Sequence, residues 1–192
     1  MAQLKGFPAR FKDSNPSECH GDGWLAHFIA ARKLLLAGGI AVFCGDCGVG
    51  KTRMGYELAK VLPDRTEWHC GLTRVVPAYY ITADKMLEEL RQTFGNNDSD
   101  AKSERNTMGL FVSASLLVLD ELDGCIKTEF GQRKLKRIID ERYMAKLPTL
   151  IITNHEPTRL KELLPKPVIS RIQENGKGFL FDWPSFRTPQ TP

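Results

Sequence analysis

The chain has no apolar run approaching the ~18–20 residues that a membrane-spanning helix needs. It has no internal repeat and no low-complexity tract, which sets aside solenoids, collagen-like chains and coiled coils. Cysteine is sparse and odd in number, five in 192 residues, a poor basis for a disulfide framework. The opening residues, MAQLKGFP, lack the apolar core of an export signal. A reduced, cytoplasmic setting with no membrane partner is therefore expected. Neither charge dominates, since 27 Lys and Arg face 23 Asp and Glu. The net charge of +4 permits nucleic-acid contact without establishing it.

The remainder is ordinary globular material, 42% hydrophobic and 26% charged, of a length that suits one domain. Five short apolar runs stand out: residues 39–44 (GIAVFC), 78–82 (AYYIT), 115–120 (SLLVLD), 149–153 (TLIIT) and 178–182 (GFLFD). Their length and near-continuous apolarity predict strands buried on both faces. Helical signals lie between them, over residues 22–37, 51–62, 84–94, 129–144 and 158–164. Strands alternating with helices predict an α/β fold with a parallel sheet covered on both sides. Residues 63–77 and 95–103 read as loops, and residues 187–192 as a frayed tail.

The strongest local signal is Gly45, Asp46, Cys47, Gly48, Val49, Gly50, Lys51 and Thr52, which fits G-x-x-x-x-G-K-[ST] between a predicted strand and a predicted helix. Glycines let the backbone approach an anion without Cβ clashes, and successive N–H groups at a helix N-terminus cradle phosphate. Lys51 is expected on the β/γ-phosphates and the Thr52 hydroxyl on Mg²⁺. The ligand expected is thus a nucleoside triphosphate with Mg²⁺.

A phosphate loop alone does not separate kinases, GTPases and ATPases. The run LLVLDE ends its strand on two carboxylates, Asp120 and Glu121, and the carboxyl end of a parallel strand faces the ligand crevice. Asp120 is expected in the Mg²⁺ shell, and Glu121 as the general base that activates water. The competing reading is that the pair caps the next helix. A third strand ends in Thr153 and Asn154. Asn154 can orient water against the terminal phosphate, or simply cap the following helix. Arg171 lies in the amphipathic stretch VISRI, where an arginine offered to a neighbouring subunit could stabilise phosphoryl transfer. A surface ion pair is the plainer alternative.

The order of these features resembles Walker A, Walker B, sensor 1 and the arginine-finger box of AAA+ ATPases. Within that superfamily the chain resembles the DnaC/IstB branch, most of all the ATPase domain of DnaC-type replicative helicase loaders. Three further stretches carry the narrower resemblance: ITAD at 81–84 with LRQTF at 90–94, LLVLDEL at 116–122, and FLFDWPSFR at 179–187. The resemblance spans about residues 5–188. It implies a three-layer AAA+ core with a five-stranded parallel sheet in order 5-1-4-3-2, the sensor strand lying between the two Walker strands. It further implies that Asn154 faces the terminal phosphate and that Arg187 acts as a sensor 2 residue. The ten residues after Asp182 are too few for a C-terminal helical lid, and the 38 before Gly39 too few for an N-terminal helicase-binding domain. The expected organisation is a linker and helix over 1–38, an ATPase core over 39–186 and a tail over 187–192.

On the same resemblance the chain hydrolyses ATP, assembles with like subunits on ATP binding, and engages single-stranded DNA and a hexameric replicative helicase. A transposase is the alternative partner, and a small kinase the alternative activity. Lys85, Arg91 and Phe94 of the 84–94 segment are the candidate DNA contacts, because single strands favour cations with aromatic stacking. That segment also fits an amphipathic helix packing Leu87, Leu90 and Phe94 inward. The basic run QRKLKR at 132–137 reads first as a solvated helix face. Cys44 and Cys47 have C-x-x-C spacing, but zinc would need a second pair, and a small buried hydrophobe is the simpler role for Cys44.

Overall fold

The computed structural model describes residues 3–13, 22–69, 72–93 and 104–186. Phe94 and Arg187 lie outside them. The strands are β1 (Leu4–Lys5), β2 (Ile40–Gly45), β3 (Arg65–His69), β4 (Leu72–Val76), β5 (Ala78–Thr82), β6 (Leu117–Asp120), β7 (Thr149–Ile152) and β8 (Gly176–Phe181). The helices are α1 (Asp22–Leu36), α2 (Lys51–Val61), α3 (Ala83–Arg91), α4 (Glu104–Ser113), α5 (Asp123–Ile126), α6 (Glu129–Met144), α7 (Pro157–Leu163) and α8 (Lys166–Asn175).

The main sheet runs β1-β5-β6-β7-β2-β8, and every pairing is parallel. Relabelled by the five strands expected from sequence, it reads 5-1-4-3-2, as anticipated. The correction is a sixth strand. Leu4 and Lys5 pair with Ala78 and Tyr79 and cover the edge of β5. Two residues in a polar context leave no periodicity to read. A second correction concerns residues 63–77. They hold an antiparallel β3–β4 pair, with Arg65 opposite Val76 and Trp68 opposite Thr73.

Alternation along the strands sorts the core into two layers. Ile40, Val42, Cys44, Leu117, Leu119 and Ile151 face the helices α3 to α8. Ala41, Phe43, Leu116, Val118, Leu150 and Ile152 face α1 and α2. The strands are therefore apolar on both sides, as a parallel sheet between helical layers requires. Such a sheet sends all its strand ends to one crest. Gly45, Asp120 and Thr153 stand there, at the ends of β2, β6 and β7.

Candidate functional site

The loop between β2 and α2 begins where the buried run IAVFC meets glycine. Gly48 and Gly50 have φ of 86° and 89°, in the left-handed region that favours glycine. A Cβ at Gly50 would also lie 3.3 Å from the Phe186 ring. Gly50 is the N-cap of α2, and no side chain caps that end. The first N–H groups of α2 thus face the crest without a side-chain acceptor, which suits an anion.

Lys51 and Thr52, the first residues of α2, turn to different partners. Lys51 Nζ donates to the carbonyls of Gly45 (2.6 Å) and Asp46 (2.7 Å) and to Asn154 Oδ1 (2.9 Å). Burial pushes its ammonium below the ordinary lysine value, opposed by the nearby Cys47, Asp120 and Asp46 groups. Thr52 Oγ1 donates to Asp120 Oδ2 at 2.7 Å. Asp120 is buried, and the Tyr80 hydroxyl and the Glu121 N–H also donate to it, at 3.0 and 2.8 Å. Burial raises the Tyr80 phenol far above its usual range, and the Asp120 charge adds to this, so Tyr80 holds its proton and acts as a donor.

Glu121 is exposed and has φ of 52°, a conformation non-glycine residues seldom adopt. Such strain tends to collect where a side chain must be aimed. Glu121 lines a cavity of about 480 Å³ together with Cys47, Gly48, Gly50, Lys51, Thr52, Asp120, Thr153 and Asn154. That volume lies in the range of small-ligand sites, ~300–1,000 Å³. The Thr52 hydroxyl and the Asp120 carboxylate form an oxygen pair of the kind a hard divalent cation takes. Among the described residues no three His, Cys, Asp or Glu side chains converge on a metal position.

The other sequence candidates fall elsewhere or play backbone parts. Val49 is buried, and its carbonyl accepts from Trp183 Nε1 at 3.0 Å. Cys44 is buried, and Cys47 is exposed on the cavity wall. Arg171 does not line the cavity. It lies on α8, donates to Asp140 Oδ1 at 3.4 Å and sits 4.6 Å over the Tyr143 ring. Lys85 is exposed on α3, and Arg91 lies 5.4 Å over the Phe130 ring of α6. In the basic run of α6, Lys134 pairs with Glu104 and Arg137 with Glu141. His155 meets Asp123 Oδ1 at 2.8 Å, and His27 meets the Leu180 carbonyl at 2.9 Å.

Sequence reasoning missed several residues of the cavity wall. Tyr80, Arg10, Phe11, Arg53 and Phe186 all line it. The register that sets Thr82 opposite Asp120 brings Tyr80 within reach, and strand pattern alone cannot show that register. Arg10 and Phe11 arrive on an N-terminal arm that carries no motif.

No family model matches the chain. It is 26% identical over 151 residues to the replicative helicase loader DnaC of Escherichia coli, an alignment covering 78% of this chain and 57% of that protein. It is 23% identical over 175 residues to a putative ATP-binding protein of an insertion sequence in Mycobacterium tuberculosis, covering 88% and 64%. The chain thus spans about half the length of the DnaC proteins it matches. Among solved structures, the DnaC helicase loader superposes with a TM-score of 0.70 at 19% identity, over 90% of this chain and 99% of that one. Domain III of the replication initiation protein DnaA from Thermotoga maritima gives 0.62 at 20% identity, over 85% and 67%. Those two likenesses concern the fold. The homologues are DnaC helicase loaders and an insertion-sequence ATP-binding protein, the branch that the motifs resemble.

Proposed function

We propose that this chain binds and hydrolyses ATP at the crest of its sheet and uses the cycle to load a hexameric replicative helicase onto single-stranded DNA. The observation that carries the reading is a pair of contacts from adjacent residues, Lys51 with Asn154 and Thr52 with Asp120. Four residues read from three separate motifs converge there, on a cavity wide enough for a triphosphate.

The geometry supports a division of labour. Lys51 leaves its loop carbonyls for the β/γ-phosphates when nucleotide binds. That move frees Asn154 Oδ1 to hold the attacking water. Glu121, exposed on the cavity wall, takes the proton from that water as its oxygen attacks the terminal phosphorus and ADP leaves. Thr52 and Asp120 would hold Mg²⁺, which supplies charge neutralisation at the phosphates. Arg171, which does not line its own cavity, serves the site of an adjoining copy, so like subunits assemble on ATP. Arg187 is offered as a sensor 2 residue, and Lys85, Arg91 and Phe94 as DNA contacts, on the resemblance. The division into residues 1–38, 39–186 and 187–192 and a cytoplasmic location belong to the same reading. Among the described residues no helix is long and apolar enough to cross a membrane.

A second reading, an ATPase helper of a transposase, has one observation in its favour. The insertion-sequence relative aligns over more of this chain, 88%, than the DnaC relative does. The two readings share the chemistry and differ in partner. Pull-down with a hexameric helicase against a transposase separates them. A small-molecule kinase would have no use for Glu121 or Arg171.

Phosphate release measured against protein concentration, with and without single-stranded DNA, tests the proposal. Lys51→Ala should abolish it, and Glu121→Gln should lower it ~10²–10⁴-fold while nucleotide still binds. Arg171→Ala should lower it ~10³-fold or more and remove the concentration dependence. Turnover untouched by Glu121→Gln would refute the hydrolytic reading, and normal turnover in Arg171→Ala would remove the shared site.

A further inference from the structure

The arm that precedes α1 is built to reach the cavity. After β1, Gly6 turns with φ of 79°, and a Cβ there would lie 2.1 Å from the Tyr80 carbonyl oxygen. The approach of the arm to β5 is thus closer than any other residue allows. Phe7 then packs on Tyr80 and Tyr56, with ring centroids 5.2 and 5.6 Å apart, and Phe11 packs on Tyr56 at 5.8 Å. Pro8 leads into one 3₁₀ turn, Ala9–Phe11. Aromatic contacts of this kind add to area burial and hold a short arm in one place.

This arm delivers Arg10 to the wall of the same cavity that Asp120, Glu121 and Asn154 line. The other cations there have ionic or hydrogen-bonded partners. Lys51 is bonded to two carbonyls and Asn154, and Arg53 pairs with Glu57 through Nε at 2.9 Å, although its buried Nη2 has no hydrogen-bond partner among the described residues. Arg10 is exposed and has no hydrogen-bonded or ionic partner among the described residues. Its one described contact is the ring of its neighbour Phe11, at 4.9 Å. The arm packs on Tyr80 through Phe7, and the Tyr80 hydroxyl bonds Asp120, so the arm enters the cavity on the Asp120 side.

We infer that Arg10 is a phosphate-contacting residue, a guanidinium that the N-terminal arm holds over the terminal phosphate of ATP bound in its own subunit. The inference rests on the nucleotide reading of this cavity. A planar fork of donors suits a phosphoryl group, and on the nucleotide reading the terminal phosphate is the one set against Asp120 and Glu121. Arg10 therefore makes the site distinguish ATP from ADP.

Calorimetric titration of the full chain with MgADP and with the magnesium complex of AMPPNP, a non-hydrolysable ATP analogue, tests this. Arg10→Gln should weaken the triphosphate analogue ~10–100-fold and leave ADP within about twofold, since a charge-assisted hydrogen bond is lost from one ligand alone. Arg10→Lys should recover part of the loss, because a point charge remains without the fork. Gly6→Ala keeps Arg10 but displaces the arm, and should reproduce the Arg10→Gln pattern. Equal affinities in Arg10→Gln and wild type, or an equal loss for both nucleotides, would overturn the inference and leave the nucleotide site standing. Wild-type protein that binds neither ligand would overturn the nucleotide reading itself.

Discussion

Burial sorts the cysteine thiols by reactivity. Cys44, on the inner face of β2, is pushed up to about 11 by burial, against the pull of the Lys51 charge. Cys125 is pushed up to about 12 by burial, with the Asp84 charge adding to it. At pH 8 the thiolate fraction of a group at 11 is about one in a thousand, and the thiolate is the nucleophile. Cys47 is exposed on the cavity wall. Brief iodoacetamide treatment at pH 8 should therefore label Cys47 and spare Cys44 and Cys125, as read by peptide mass mapping. Labelling of Cys44 should rise only as pH climbs toward 11. Bound ATP analogue should shield Cys47. Equal labelling of Cys47 with and without nucleotide would contradict its place beside the phosphates. Lys51, Thr52, Asp120 and Asn154 were legible in sequence because each ends a strand or starts a helix in a recognisable spacing. Tyr80 and Arg10 were not, because one depends on strand register and the other on where an arm folds back.

Elements are tied to one another at the end of the sheet opposite the crest by Arg142. This residue of α6 is fully buried and has no carboxylate partner among the described residues, and burial with the nearby Arg65 charge pushes its guanidinium down to about 9. It remains charged at neutral pH. Its donors are spent on the Phe111, Val112 and Ala114 carbonyls (3.0, 2.9 and 2.9 Å), the Pro148 carbonyl (2.5 Å) and Thr149 Oγ1 (2.9 Å). It thereby satisfies the C-terminal carbonyls of α4 and fixes the segments entering β6 and β7, whose far ends hold Asp120 and Asn154. Arg142→Met keeps most of the volume and strands those acceptors. It should cost about 3–5 kcal/mol in denaturant unfolding, since several buried groups lose partners at once. A loss below about 1 kcal/mol would show that water or rearrangement replaces the clamp. The elements poorly legible in sequence are those that tertiary contacts sustain. In α4, Gly109, Thr107 and Val112 weaken helix propensity, and packing of Met108 and Phe111 compensates. In β4, Leu72, Thr73 and Arg74 are exposed, and the pair carries little apolar alternation. The long strands and α6 were legible because their apolar period was unbroken.

The molecule as a whole is a parallel sheet between two helical layers with the polar side chains of the candidate site gathered at one crest. That plan follows from five apolar runs and the helices between them, and the strand order followed from the motifs' resemblance. The edge strand β1 did not, although it anchors the arm that reaches the site. The separation of Arg171 from the cavity is a property of this scale too. On the proposed reading Arg171 would act on another copy, and the subunit alone would be an incomplete catalyst. The most direct measurement is the structure of the protein with Mg²⁺ and a non-hydrolysable ATP analogue. The triphosphate is expected along Gly45, Asp46, Cys47, Gly48, Val49, Gly50, Lys51 and Thr52. Its terminal phosphorus should lie between Lys51, Asn154 and Glu121. A nucleotide bound elsewhere, or a terminal phosphate out of reach of Glu121, would contradict hydrolysis at this crest.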